Sequence, residues 1–169
     1  MQKIYKGRVW KFGNDVDTDN IIPGKAGTIP DMNEMATHAF ELLRPDFAKN
    51  SKEGDIIVAG SNFGCGSSRE QAPAVIKING VKIVIAESFA RIFFRNSFNI
   101  GLILIECKGL LDNINDGDEI EVELNKCIRA NGKEYPISKI PDNLFKIVED
   151  GGLVNNIKKY NQKKKQEAK

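Results

Sequence analysis

The sequence has few of the residues that build metal sites and disulfide frameworks. Its 169 residues include three cysteines, at positions 65, 107 and 127, and a single histidine, His38. Because the cysteines are odd in number and widely spaced, they indicate neither a disulfide framework nor a zinc or iron–sulfur ligand set. We therefore expect no metal ion to be bound by this chain itself.

Long apolar runs and a strong net charge are also missing. No segment approaches the roughly 20 apolar residues of a membrane-spanning helix, and residues 1–6 have no apolar signal core. The formal net charge is only +2, which is too small to indicate a nucleic-acid partner. These absences predict a cytoplasmic protein that binds neither membranes nor nucleic acids.

What the sequence does have is the composition of a folded domain. It is 41% hydrophobic and 28% charged, as in ordinary globular proteins, and its length fits one domain. Lysines accumulate near its end, at positions 158, 159, 163, 164 and 165. We predict a single domain over residues 1–161 and a basic, disordered tail over residues 162–169.

Hydrophobic periodicity gives the middle of the chain a βαβ pattern. Continuous apolar runs at 55–60, 81–86 and 102–106 alternate with helical segments at 72–80 and 88–99. Such runs are typical of parallel strands that are buried on both faces.

The flanking segments have other patterns. Residues 8–12 and 118–124 alternate as half-buried strands, and residues 127–135 predict a hairpin with a type I′ turn at Asn131-Gly132. An apolar stripe over residues 33–43 predicts a helix. Together the patterns predict an α/β fold, in which helices flank a mixed sheet or a partly closed barrel.

The turn after the second strand of this pattern carries the strongest indication of chemistry. It contains Gly64, Gly66, Ser67, Ser68 and Arg69, and a helix follows it. Glycines let backbone N–H groups approach a ligand, and a helix N-terminus adds free N–H donors that favour an anion. The planar guanidinium of arginine suits a carboxylate. We predict an anion-binding turn at the carboxyl end of a parallel strand.

A structural interpretation of the same residues stays open. Ser67 with Glu70, and Ser68 with Gln71, match the capping box of a helix. A Walker loop is not indicated because its Lys-Ser/Thr ending is missing, and a serine triad lacks a histidine with a visible partner. A catalytic serine here would be activated by N–H donors and nearby cations.

Several segments, in the same order along the chain, resemble the aconitase-type hydro-lyases. The resemblance is strongest to the small subunits of the 3-isopropylmalate dehydratase and homoaconitase type, and it covers nearly the whole chain. The matching segments are NFGCGSSREQAP at 62–73, GRVWKFG at 7–13, DTD at 17–19, IPG at 22–24, SFARIF at 88–93 and GGLV at 151–154.

This resemblance implies a swivelling β/β/α domain that closes over a large subunit, which holds a [4Fe-4S] cluster. By position it implies that Ser67, as an alkoxide, removes the proton beside a substrate carboxylate. Ser68 and Arg69, with the backbone of Gly66, are implied to hold a carboxylate, and Asp19 is implied to be an acidic active-site residue. The implied reaction is the reversible dehydration and hydration of a hydroxy diacid.

The stretch Lys25 to Pro30 departs from the family pattern, which has Tyr-Leu after the Pro-Gly pair. This loop is implied to choose the substrate, and we assign Lys25 and Thr28 to substrate binding, with a solvated lysine as the alternative. The leading expectation is the conversion of 2-isopropylmalate to 3-isopropylmalate in leucine biosynthesis. Homocitrate, 2,3-dimethylmalate and methyl-substituted malates are the alternative substrates.

Three further alternatives stay open at this point. Asp17 and Asp19 fit either an Asx-type turn or an active-site role. Arg91 and Arg95, one helical turn apart, either line the crevice or the subunit interface or form a salt-bridged surface stripe. The rival function, from another class, is a stand-alone anion-binding or regulatory module.

Overall fold

A seven-stranded mixed sheet organises the fold of the computed structural model, which describes residues 3–167. Its strands are Ile4–Lys11 (β1), Ile56–Val58 (β2), Ile83–Ala86 (β3), Ile103–Glu106 (β4), Glu119–Glu123 (β5), Cys127–Ala130 (β6) and Lys133–Pro136 (β7). They lie in the order β4-β3-β2-β1-β5-β6-β7. Strands β1 to β4 are parallel, whereas β1, β5, β6 and β7 pair antiparallel. The predicted α/β fold with a mixed sheet is confirmed.

Helices connect the parallel strands and follow the last antiparallel one. They are Thr18–Ile21 (α1), Met32–Ala36 (α2), Phe47–Asn50 (α3), Gln71–Ile78 (α4), Arg91–Asn99 (α5), Asp142–Glu149 (α6) and Leu153–Glu167 (α7). Helix α4, between β2 and β3, packs against α1, α2 and α5. No helix within residues 3–167 has the length and apolar character needed to cross a membrane.

The parallel half contains the centre of the core. All residues of β2 and β3 are buried, because helices and the rest of the sheet cover both faces of these Val/Ile strands. The register places Ile57 beside Trp10 and Val84, and Val84 beside Leu104. This arrangement fixes the carboxyl ends of β2 and β3 side by side.

The antiparallel half also follows its sequence pattern. In β5, Ile120 and Val122 are buried while Glu119 is exposed. The hairpin between β6 and β7 turns at Asn131 and Gly132, which have φ values of 48° and 74°. A type I′ turn requires positive φ at both central residues, so the predicted hairpin is confirmed.

The helix predicted over residues 33–43 is confirmed only at its start, where Asp31 caps α2, and it is shorter than predicted. Helix α2 ends at Ala36, and turns continue to Phe40, which has a φ of 57°. The Phe40 ring is fully buried, with its centroid 4.4 Å from that of Phe12 and 4.9 Å from that of Phe47. Its N–H donates to the carbonyl of Ile21 at 2.9 Å. Aromatic packing and this bond therefore override the helical periodicity.

Helix α7 covers Leu153–Glu167, and the predicted tail over residues 162–169 stays a prediction. Residues 168 and 169 of the predicted tail lie outside the described residues.

Candidate functional site

The glycine-rich turn lies at the carboxyl end of β2, as predicted, between that strand and α4. Helix α4 begins at Gln71, and its N-cap is Glu70, which makes no side-chain capping bond. The capping boxes suggested for Ser67 and Ser68 are therefore not formed. Both serines are exposed, so their hydroxyls are available to a ligand.

Two glycines give the turn its backbone shape. Gly64 and Gly66 have φ values of 79° and 88°, in the left-handed region that disfavours other residues. A Cβ at Gly64 would overlap the Phe93 ring, and one at Gly66 would lie 3.4 Å from Thr18 Oγ1. The turn is thus packed between α5 and α1.

The segment before α1 is hydrogen-bonded to this turn. The N–H of Gly64 donates to Val16 O at 2.7 Å, and the N–H of Thr18 donates to Cys65 O at 2.8 Å. The buried Thr18 hydroxyl donates to Ser67 O at 3.0 Å. Sequence reasoning missed Thr18, although its place between Asp17 and Asp19 was a signal. These bonds fix the backbone directly beneath the Ser67 side chain.

Asp17 and Asp19 have separate roles. The Asp17 carboxylate accepts the N–H of Asn20 at 2.7 Å, while the Asn20 side chain accepts the N–H of Asp17 at 3.2 Å. This capping box gives Asp17 a structural role. Asp19 lies one residue into the helix, and its carboxylate faces the glycine-rich turn.

Arg69 joins the turn to the early loop. Its Nη2 lies 2.5 Å from Asp19 Oδ1, and its Nη1 donates to the carbonyl of Ile22 at 3.0 Å. The guanidinium also lies beneath the loop, since a Cβ at Gly27 would be 3.5 Å from Nη1. The Arg69 side chain is 27% exposed, so part of it is accessible to a ligand.

Lys25 and Thr28 lie on the same loop. Residues Ala26–Thr28 form a 3-10 turn after Lys25, and both side chains are exposed. The Thr28 hydroxyl donates to the carbonyl of Lys25 at 2.9 Å. The loop therefore closes on itself and presents the Lys25 ammonium to solvent. All seven sequence-predicted residues thus belong to the turn or to the early segment bonded to it.

Cys65 lies in the turn but is not activated. Burial raises the pKa of its thiol, and the nearby carboxylates of Asp17 and Asp15 raise it further. A thiol with a raised pKa is a poor nucleophile at neutral pH. The exposed hydroxyl of Ser67 therefore remains the stronger candidate in this turn.

A family model described as the Aconitase C-terminal domain matches residues 10–110, which include the early loop, the glycine-rich turn and α5. This chain belongs to the aconitase C-terminal domain family. The resemblance seen in the sequence is therefore confirmed, and the glycine-rich turn between β2 and α4 is the candidate site of a member of this family.

Individual relatives cover almost the entire chain. The 3-isopropylmalate dehydratase small subunit of Lachnospira eligens is 55% identical over 161 residues, which are 95% of this chain and 98% of the relative. The methanogen homoaconitase small subunit of Methanothermobacter thermautotrophicus is 52% identical over 92% of each chain. A crystal structure of 3-isopropylmalate dehydratase from Methanocaldococcus jannaschii has a TM-score of 0.92 and 46% identity, covering 98% of this chain and 99% of that one.

Proposed function

We propose that this chain is the small subunit of a cytoplasmic hydro-lyase that converts 2-isopropylmalate to 3-isopropylmalate in leucine biosynthesis. The observation that carries the proposal is that Ser67 and Arg69 share the glycine-rich turn and that Asp19, on the early segment bonded to that turn, pairs with Arg69. Identity of 55% with a 3-isopropylmalate dehydratase small subunit supports the reaction. The chain is proposed to act only together with a large subunit.

In this proposal Ser67 is the base. Its hydroxyl is exposed on a turn whose backbone is held by Thr18, and the Arg69 cation is two residues away. Removal of a proton beside a carboxylate requires a positioned base and nearby positive groups that stabilise the developing charge. The N–H groups near the start of α4 and the Arg69 guanidinium supply that stabilisation.

Arg69 is proposed to bind a substrate carboxylate, together with Ser68 and the backbone of Gly66. Asp19 holds Nη2 of Arg69 and the Ile22 carbonyl accepts from Nη1, so the guanidinium is oriented before substrate arrives. A guanidinium has five N–H donors, and the donors left over can bind a carboxylate. The proposed role of Asp19 is to position Arg69.

The proposal assigns the [4Fe-4S] cluster to the large subunit, over which this domain swivels. Within the described part of this chain, no three His, Cys, Asp or Glu side chains converge as metal ligands, so the residues present do not fit such a cluster. On its own subunit the cluster supplies a Lewis acid for the substrate hydroxyl. The steps assigned here to Ser67, Arg69 and Asp19 involve this chain's own groups.

Lys25 and Thr28 are proposed to contact the variable end of the diacid. Their loop lies against Arg69. The residue proposed to hold the carboxylate that all these diacids share therefore also supports the loop proposed to select the substrate. A homoaconitase small subunit is nearly as similar to this chain as a dehydratase small subunit. Homocitrate, 2,3-dimethylmalate and methylmalates therefore stay as alternative substrates.

The test uses the chain and a large dehydratase subunit from the same organism, purified together without oxygen. We expect alkene absorbance from 2-isopropylmalate to exceed that from homocitrate, 2,3-dimethylmalate and citramalate, and only when both subunits are present. Activity of this chain alone would contradict the proposal. The rival regulatory module predicts that a tagged copy binds a carboxylate but does not copurify a brown iron–sulfur protein.

A further inference from the structure

One face of α5 carries two arginines beside an exposed isoleucine. Over Arg91–Asn99, the exposed residues Arg91, Ile92, Arg95 and Asn99 fall within about 100° of the helix circumference at 3.6 residues per turn. Ile92 is 53% exposed. The buried residues Phe93 and Ser97 lie on the opposite side, and the buried Phe98 borders the face about 20° from Arg91. We call the exposed group the α5 arginine face.

The two arginines of this face differ from the other four arginines in the sequence. Those four are all held by carboxylates, through the pairs Arg8–Asp55, Arg44–Asp116, Arg69–Asp19 and Arg129–Glu123. Arg91 and Arg95 form no ion pair within residues 3–167, and the interpretation as a salt-bridged stripe is wrong. An exposed guanidinium fork of this kind is suited to carboxylates that another molecule provides.

The α5 arginine face adjoins the candidate site. The N–H of Phe63 donates to Ser88 O, and the N–H of Ala90 donates to Phe63 O, both at 3.0 Å. These bonds join the start of α5, where Arg91 and Ile92 lie, to the residue that precedes Gly64. A body that closes over Ser67 therefore also approaches Arg91 and Ile92.

The geometry points to the α5 arginine face as a docking surface for the large subunit, an inference that rests on the proposed function. On this inference, the surface of the large subunit that fits this face has carboxylates opposite Arg91 and Arg95 and an apolar recess that accepts Ile92. A second copy of this chain is a poor occupant, because two such faces would bring four guanidinium groups together without a counter-charge. Like charges across an interface are unfavourable and suppress wrong partners.

The test is the double charge reversal Arg91→Glu with Arg95→Glu. The matched control is Lys49→Glu with Lys52→Glu, which makes the same change in net charge at exposed residues that precede β2 and so lie at the opposite edge of the sheet. Both proteins are checked for the circular dichroism and melting temperature of the unmodified chain. The Kd for the purified large subunit is then measured at low and high salt.

We expect the α5 variant to raise the Kd by at least about tenfold at low salt, while the control changes it less than about twofold. Added salt should weaken binding of the unmodified chain more than binding of the α5 variant. Equal Kd values for the folded α5 variant and the unmodified chain would overturn this inference and leave the proposed function intact.

If the unmodified chain does not bind the large subunit, the proposed function and this inference both fail. Self-association of the unmodified chain that the α5 variant abolishes would assign the face to a second copy and overturn the docking inference. Ile92→Asp provides a second measurement, because it keeps both arginines and removes only the apolar contact. It too is expected to weaken binding of the large subunit.

Discussion

The hydroxyl of Ser67 is exposed on a backbone that other residues hold in place. The buried Thr18 donates its hydroxyl to Ser67 O, and Gly66 takes the positive φ that the turn needs. A reacting group that is fixed by its own backbone needs little reorganisation during the reaction. At this scale, the site is defined by one exposed hydroxyl and the bonds beneath it.

Ser67→Ala should lower kcat by about 10²- to 10⁴-fold, the usual contribution of a general acid–base group. The free energy of unfolding should change by less than about 0.5 kcal/mol because the side chain is exposed. Both quantities are measured on the assembled enzyme and on the isolated chain. Ser138→Ala, at another exposed serine, is the control and should leave kcat unchanged. An unaltered kcat in Ser67→Ala would remove Ser67 from the reaction.

Arg69→Lys should raise KM by about 10- to 100-fold, because an ammonium cannot keep a planar fork between Asp19, the loop and a substrate carboxylate. Asp19→Asn should raise KM by a smaller factor. If Asp19 acts only through Arg69, the double variant should resemble Arg69→Lys alone. Steady-state kinetics of the two single variants and the double variant measure these KM values. If the effects of the two single changes on KM multiply in the double variant, Asp19 contacts the substrate independently of Arg69.

The elements around the site depend on a close approach between the glycine-rich turn and α5. Gly64 stands directly over the Phe93 ring, where no Cβ fits. Gly109 has nearly the same positive φ, 78° against 79°, but nothing lies within 4 Å of its added Cβ. A comparison of alanine substitutions at Gly64 and Gly109 therefore separates two costs: the backbone strain of a side chain at positive φ, and the steric overlap of that side chain with Phe93.

Gly64→Ala should destabilise the chain clearly more than Gly109→Ala, for which we expect a loss of about 1 kcal/mol from the positive φ alone. Urea unfolding of both variants measures the difference. Gly64→Ala should also lower kcat, since any shift of Gly64 moves the neighbouring turn. Equal losses in the two variants would mean that the approach of Phe93 to Gly64 is not a tight constraint.

The elements also show what sequence periodicity can predict. The strands β2, β3 and β4 and the hairpin at Asn131 were predicted because local patterns and tertiary packing agree there. The helix predicted over residues 33–43 stops at Ala36 because burial of Phe40 among aromatic rings selects a positive φ. The residues of the site were predicted from the motif, but the Asp19–Arg69 pair and the Thr18 bond join segments about 50 residues apart. A local pattern contains no information about such contacts.

At the scale of the whole molecule, many carboxylates are paired with cations. Burial raises the pKa of Asp55, but bonds from Arg8 and Trp10 lower it more, so the net pKa is below its usual value. Bonds from Lys126 and then Arg129 lower the pKa of Glu123. The two cations lie 3.0 Å and 2.7 Å from its oxygens. The Arg8–Asp55 pair joins β1 to the segment before β2, and the Arg129–Glu123 pair joins β6 to β5, whereas Lys126 lies only three residues from Glu123.

These lowered pKa values predict how stability responds to acid. A carboxylate with a lower pKa in the folded state stabilises the fold above its unfolded pKa, which is about 4. This contribution is lost as the pH falls through the lowered folded pKa. The free energy of unfolding should therefore decrease as the pH falls from about 5 to about 3. Urea unfolding across this range measures the slope.

Glu123→Gln should make this decrease shallower, because the amide does not titrate and its stability contribution is the same at both ends of the range. The matched control is Glu119→Gln, an exposed residue of the same strand that forms no ion pair among the residues described. Its slope should equal that of the unmodified chain, because this substitution leaves the contacts of Glu123 with Lys126 and Arg129 in place. Identical slopes in all three proteins would show that the Lys126 and Arg129 contacts do not link Glu123 protonation to folding.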